Sequence, residues 1–124
     1  MSKNLSPLNS KGQPHGIWEH YHDNGKLRFK CNYLNGQRDG LYEQYYDNGQ
    51  LFYKCNYIND KLHGSYEQYC YDGQLVFKIN YLNGERHGLY ESYSRDGKLE
   101  NKFNYINGVR HEYIEPNSEL FPIY

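Results

Sequence analysis

The sequence predicts an all-β protein: a single-layer, elongated and twisted antiparallel meander of stacked β-hairpins, about nine strands in all. Three observations lead there. A unit of 24 residues recurs four times, as the spacing of Gly16, Gly40, Gly64 and Gly88 shows (40 − 16 = 24). Each unit contains two turn dipeptides, Asn-Gly or Asp-Gly in every case but Asn59-Asp60, and these are the strongest short-range hairpin signal. The composition holds 16 Tyr and 5 Phe with no Ala or Thr, which suits strands over helices because the best helix former is missing.

The period runs through many columns. Trp18, Tyr42, Tyr66 and Tyr90 form one aromatic series, and Tyr21, Tyr45, Tyr69 and Tyr93 a second. Leu27, Leu51, Leu75 and Leu99 follow the first turns, and Asn32, Asn56, Asn80 and Asn104 precede a third aromatic series at Tyr33, Tyr57, Tyr81 and Tyr105. Internal repetition at such a period is the mark of a repeat architecture, in which each unit buries its apolar surface against its neighbours. The units lie near 16–39, 40–63, 64–87 and 88–111.

Turns bound the strands. Asn24-Gly25, Asn48-Gly49, Asp72-Gly73 and Asp96-Gly97 open each unit's hairpin, and Asn35-Gly36, Asn59-Asp60, Asn83-Gly84 and Asn107-Gly108 join it to the next. Both sets read as type I′ turns, which need positive φ at two central residues. The strands then fall near 17–22, 27–33, 40–46, 51–57, 64–70, 75–81, 88–94, 99–105 and 111–115. A two-residue loop at Asn24-Gly25 sets Glu19 opposite Lys30. The same rule pairs Glu43 with Lys54, Glu67 with Lys78, and Glu91 with Lys102. Opposite charges across a strand pair contribute about 0.2–1 kcal/mol each and resist register slip, so this ladder reads as structural.

Alternation sorts the faces. One carries Trp18, Phe29, Tyr42, Tyr53, Tyr66, Phe77, Tyr90 and Phe103 with the leucine column, Cys31 and Cys55. The other carries the Glu/Lys ladder, the Asn32 column and the second Tyr series. The aromatic face is the candidate interaction face, because an apolar patch of more than a few hundred Å² marks a contact surface.

The unit G-x-Y-E-x-Y-x-x-(N/D)-G-x-L-x-x-K-x-N-Y-x-N-G-x-x-H resembles the MORN repeat, in the variant form found in bacterial antitoxin-like proteins and in some viral and protist proteins. The likeness covers residues 12–115, with departures at Asp39 (for His) and Asp60 (for Gly) and after His111. It implies an elongated twisted sheet of hairpins used for interaction, dimerisation or scaffolding, and it carries no catalytic residues. It also raises two alternatives: an antitoxin-like neutraliser of a toxic protein, and a peripheral membrane or phosphoinositide binder.

Residues 1–11 read as a loose N-terminal segment. The tail 112–124, with Leu120, Phe121, Ile123 and Tyr124, reads as a cap over the open edge or a docking segment.

Little catalytic chemistry is foreseen. His15, His63, His87 and His111 share a column, but neighbours in it lie two strands apart, about 9.5 Å, too far to converge on one zinc ion. Turn hydrogen bonding is their expected role. Cys31 and Cys55 are separated in the same way, beyond disulfide reach. Three cysteines without a CxxC point to free thiols in a reducing compartment. There is no Walker loop, and no GxGxxG between a strand and a helix. With 14 basic and 15 acidic residues the net charge is −1, so nucleic acid is an improbable partner. No secretory signal and no apolar run of membrane-spanning length is visible, which makes the cytoplasm the expected location. The expectation is therefore a non-enzymatic interaction or scaffold module without cofactor or metal. Its partner is another protein or a second copy, engaged through the aromatic face, an edge or the tail.

Overall fold

The computed structural model describes residues 3–114. They form one open antiparallel sheet of ten strands: β1 Gly16–Tyr21, β2 Leu27–Leu34, β3 Gln37–Tyr45, β4 Leu51–Ile58, β5 Lys61–Leu62, β6 Gly64–Tyr69, β7 Leu75–Leu82, β8 Glu85–Tyr93, β9 Leu99–Ile106 and β10 Val109–Glu112. The order is a meander, β1-β2-β3-β4-β6-β7-β8-β9-β10, with the two-residue β5 also paired to β4. Ten strands replace the nine expected because the strand returning from Asn59-Asp60 is interrupted at His63, whose N–H still reaches the Asn56 carbonyl at 2.9 Å. β3 and β8 begin three residues earlier than expected, and β10 at Val109 rather than 111, because the turns before them are tight.

The two sets of turns differ. Asn35 and Gly36 have φ of 49° and 88°, Asn59 and Asp60 51° and 67°, so the unit-joining turns are two-residue type I′ loops. At the first set only the glycine has positive φ, 86° at Gly25. There the Gly25 N–H donates to the His22 carbonyl and the His22 N–H to the Lys26 carbonyl, while Asn24 Oδ1 accepts the Lys26 N–H. That is a three-residue loop, a type I turn closed by a left-handed glycine, and not the type I′ loop expected. Asn-Gly suits both; the side-chain bond to Lys26 favours the longer one. The extra residue appears as a register shift between His20 and Tyr21. It sets Leu27 opposite Tyr21, whose hydroxyl donates to Glu19, so the leucine column joins the charged face and not the aromatic one.

A second irregularity lies inside each unit. Tyr33 faces Arg38 and Cys31 faces Tyr42, which leaves Asp39, Gly40 and Leu41 opposite Asn32 alone. Gly40, at φ 97°, absorbs this bulge, and the β7–β8 pair repeats it at Gly88. The shift brings Glu43 opposite Lys30, so adjacent units come into charge register too.

Burial is confined to a thin seam on the aromatic side: Cys31, Cys55, Ile79 and Tyr105. Below the first edge, residues expected to be loose run along β1. Leu5 and Glu19 exchange backbone hydrogen bonds at 2.7 and 3.0 Å, Trp18 Nε1 donates to the Pro7 carbonyl, and Asn4 Oδ1 accepts the Tyr21 N–H. The open edge of the sheet is thereby covered. The candidate docking residues Leu120, Phe121, Ile123 and Tyr124 lie outside the described residues.

Candidate interaction surface

On the aromatic face the rings do more than share a side. Trp18, His20, Phe29, Tyr42, Tyr53, Tyr66, Phe77, Tyr90 and Phe103 stack in an unbroken row across all four units, with successive centroids 4.7–6.0 Å apart and planes within 28° of parallel. Offset stacking at such distances suits the ring quadrupole. His20, which sequence reasoning left out of the face, completes the row between Trp18 and Phe29. Its 24-residue equivalents are Gln44, Gln68 and Ser92, so periodicity gave no signal for it. In the last unit Asn101 occupies the place of Phe77, and Phe103 that of Ile79, so the row steps sideways there.

A second series stands edge-on to the first: Tyr57 to Tyr42, Tyr81 to Tyr66 and Tyr105 to Tyr90. Guanidinium groups lie over two of these rings, Arg38 at 4.2 Å from the Tyr57 centroid and Arg86 at 5.5 Å from Tyr105. Arg110 lies 4.4 Å over Phe103, the last ring of the row. Sequence reasoning missed these arginines. The signal was available in the 24-residue column of Arg38, Leu62, Arg86 and Arg110. Around Arg86 and Arg110 the face forms a hollow of about 260 Å³, floored by Ile79 and walled by Tyr66, Phe77, Tyr81, Tyr90, Phe103 and Tyr105.

The departure at Asp60 has its partner in this column. Asp60 Oδ1 accepts from Arg38 Nε at 2.6 Å and from the Arg38 N–H at 3.2 Å, while Arg38 Nη1 donates to Tyr57 Oη at 3.1 Å. These bonds hold the Asp60 carboxyl below the usual carboxylate range.

On the opposite face, Glu19, Lys30, Glu43, Lys54, Glu67, Lys78, Glu91 and Lys102 face one another in sequence across the sheet. Ion pairs form within hairpins at Glu19–Lys30 (3.7 Å) and Glu91–Lys102 (3.9 Å), and between units at Lys54–Glu67 (3.6 Å) and Lys78–Glu91 (3.5 Å). Tyr21 and Tyr69 donate their hydroxyls to Glu19 and Glu67. The same face exposes Ile17, Leu41 and Leu89 at 47%, 52% and 36%, side chains that sequence reasoning did not single out. Ser65 occupies their column in the third unit, beside a hollow of about 280 Å³ lined by Leu41, Glu43, Lys54 and Glu67.

Two histidines of the column, His15 and His87, serve the turns. His15 Nδ1 accepts the Asn35 N–H at 3.0 Å and His87 Nδ1 the Asn107 N–H at 3.5 Å. His63 Nδ1 is buried without a hydrogen-bond partner among the described residues, at the interruption between β5 and β6. His22 and Tyr46, equivalent in the repeat, each reach a backbone carbonyl of the next hairpin, Tyr45 and Tyr69 respectively. Cys31, Cys55 and Cys70 are free thiols. Burial pushes the Cys55 thiol up to about 11 and the Cys31 thiol in the same direction, whereas Cys70 is part-exposed with its Sγ 2.8 Å from Asp72 Oδ1. No helix among the described residues is long and apolar enough to cross a membrane.

Comparison with known proteins bears on this architecture. Two solved structures, a crystal structure of TarM and one of an S. aureus TarM mutant in complex with Fondaparinux, alpha-GlcNAc-glycerol and UDP, superpose with TM-scores of 0.48 and 0.49 at 11% and 12% identity. They cover 90% and 88% of this chain, which spans only 21% of either of theirs, and neither bears on function. No curated protein matches the chain. The family model of the MORN repeat variant matches residues 14–35, 38–59, 62–83 and 86–107, one match to each hairpin pair described above. With a hairpin, rings of the stacked row and a Glu–Lys pair in each matched segment, the chain belongs to the MORN repeat variant family.

Proposed function

We propose that the chain is a non-enzymatic protein–protein interaction module that engages its partner through the ring row of the aromatic face. Repeats of this family are generally protein or membrane interaction modules. The observation that carries the reading is the continuity of the row from Trp18 to Phe103 on a sheet with no second layer among the described residues. All nine rings are only part-buried, so a continuous aromatic strip stays open to contact. Aromatic side chains supply large contact area at low entropy cost, and anchors of this kind dominate protein interfaces. The opposite face is less suited, because its charges are held in a ladder that a partner would have to desolvate.

The test is capture with matched variants, alongside light scattering to detect self-association. Tyr42→Ser with Tyr66→Ser is expected to abolish retention of a partner or of a second copy. Leu41→Ser with Leu89→Ser, on the other face, is expected to leave it intact. Loss with the second pair and not the first would sink the ring-face reading.

A further inference from the structure

We propose that the hollow around Arg86 and Arg110 is a carboxylate-binding site that receives an acidic segment of a protein partner; this rests on the interaction reading above and names the chemistry of the partner. The chain supplies its own template for the complex. At Arg38 a guanidinium lies over Tyr57, bonds the tyrosine hydroxyl, and takes a carboxylate oxygen of Asp60 at 2.6 Å. Two units later the arrangement recurs without the acid. Arg86 lies over Tyr105 and reaches its hydroxyl at 3.5 Å, but Gly108 stands where Asp60 would be, and Glu85, whose Oε2 lies 3.1 Å from where a Cβ on Gly108 would sit, makes no ion pair with Arg86.

Arg110 adds a second guanidinium. It faces Tyr105 across the β9–β10 pair, so Tyr105 sits between the two arginines. Both are exposed, and among the described residues no carboxylate pairs with either. Glu112 stands opposite Phe103 on the same face and tempers the field at the sheet end. A guanidinium is charged at all working pH and its donor fork matches a carboxylate. The rings beside it give an adjoining apolar side chain a place to pack, which selects an acidic segment with aromatic or aliphatic neighbours over a bare anion. The second unit carries Leu62 where the others carry arginine, which confines the site to the C-terminal end of the row.

The experiment is calorimetric titration of the full chain with a blocked hexapeptide of alternating Glu and Phe, against the same peptide with Gln for Glu. The Glu peptide is expected to bind at least about 10-fold more tightly, as charge-assisted hydrogen bonds imply. Arg86→Leu, which copies the natural Leu62, and Gly108→Asp, which restores the Asp60 carboxylate beside Arg86, are each expected to weaken it by a similar factor. Asp60→Gly is expected to add a second binding event at Arg38, and Glu112→Gln to tighten the first. Trp18 fluorescence and circular dichroism check folding of every variant. Equal binding of the two peptides overturns the proposal, as does a folded Gly108→Asp that binds like wild type. Displacement of the peptide by millimolar inorganic phosphate, or preferential binding to phosphoinositide vesicles, overturns it in favour of a phosphate site. If the peptide fails while the Tyr42→Ser, Tyr66→Ser pair still abolishes partner capture, the acidic segment is wrong and the interaction module stands.

Discussion

Replacing Phe77 by Leu removes a ring from the middle of the stacked row while keeping an apolar side chain of similar reach. Phe77 has a stacked neighbour on each side, Tyr66 and Tyr90, both at 5.9 Å. It has no polar atom in its side chain, so no hydrogen bond confuses the result. Aromatic pairs in this geometry are worth about 0.5–1.5 kcal/mol beyond the area they bury, so losing two costs about 1–3 kcal/mol. Urea unfolding followed by Trp18 fluorescence and circular dichroism measures the loss, and an unchanged m-value shows that the transition keeps its extent. A double-mutant cycle with Tyr90→Leu isolates one stack and is expected to give about 0.5–1.5 kcal/mol of coupling. The same cycle between Phe77 and Phe29, which share no ring neighbour, is expected to be additive within about 0.5 kcal/mol. A single-variant cost below about 0.5 kcal/mol would refute the reasoning, because the rings would then contribute area and nothing more.

Three other predictions rest on the faces and the seam. Lys54→Glu sets a third carboxylate between Glu43 and Glu67, its neighbours on either strand; the expected loss is about 0.5–2 kcal/mol, shrinking in high salt, and Glu67→Lys on the same chain should recover part of it. Thiol labelling at pH 8 should modify Cys70 quickly and Cys31 and Cys55 only on unfolding, and a single common rate would mean the seam is open. The Cys55 thiol has its folded pKa raised to about 11 from an unfolded value near ~8.5, and Tyr57 and Tyr69 are raised to about 12. Raised pKa values mean stability that is fully present below the unfolded values and is lost as pH rises through the folded ones. Urea midpoints should therefore hold level from pH 7 to about 8.5 and fall steadily from about 9 to 12.

The period and the turn positions could be read from the chain because each depends on residues a few positions apart, and the Glu19–Lys30 pairing holds because the register shift between His20 and Tyr21 offsets the longer loop. Four copies also reinforce every local signal. Other features could not. Asn24-Gly25 fits two loop types, and only hydrogen bonds across the loop select the longer one, which then carries Leu27 to the charged face. The bulges at Gly40 and Gly88, with the interruption at His63 between them, turn four separate charge pairs into one continuous ladder; a strict alternation cannot foresee a three-against-one pairing. His20 joins the ring row through its neighbours Trp18 and Phe29, with no aromatic equivalent elsewhere in the repeat. Asp60 was visible as a departure, but its meaning depended on Arg38, which lies 22 residues away and is brought to it by the meander.

The amino-acid order by itself determined that this chain is a stack of hairpins with one aromatic side, since turn chemistry and a period of two along each strand are local properties. Only the tertiary structure decided how the units meet. Bulges, which shift the register by one or two residues and change the facing partner, set which rings stack and which charges pair across units, and the meander brings Asp60 to Arg38.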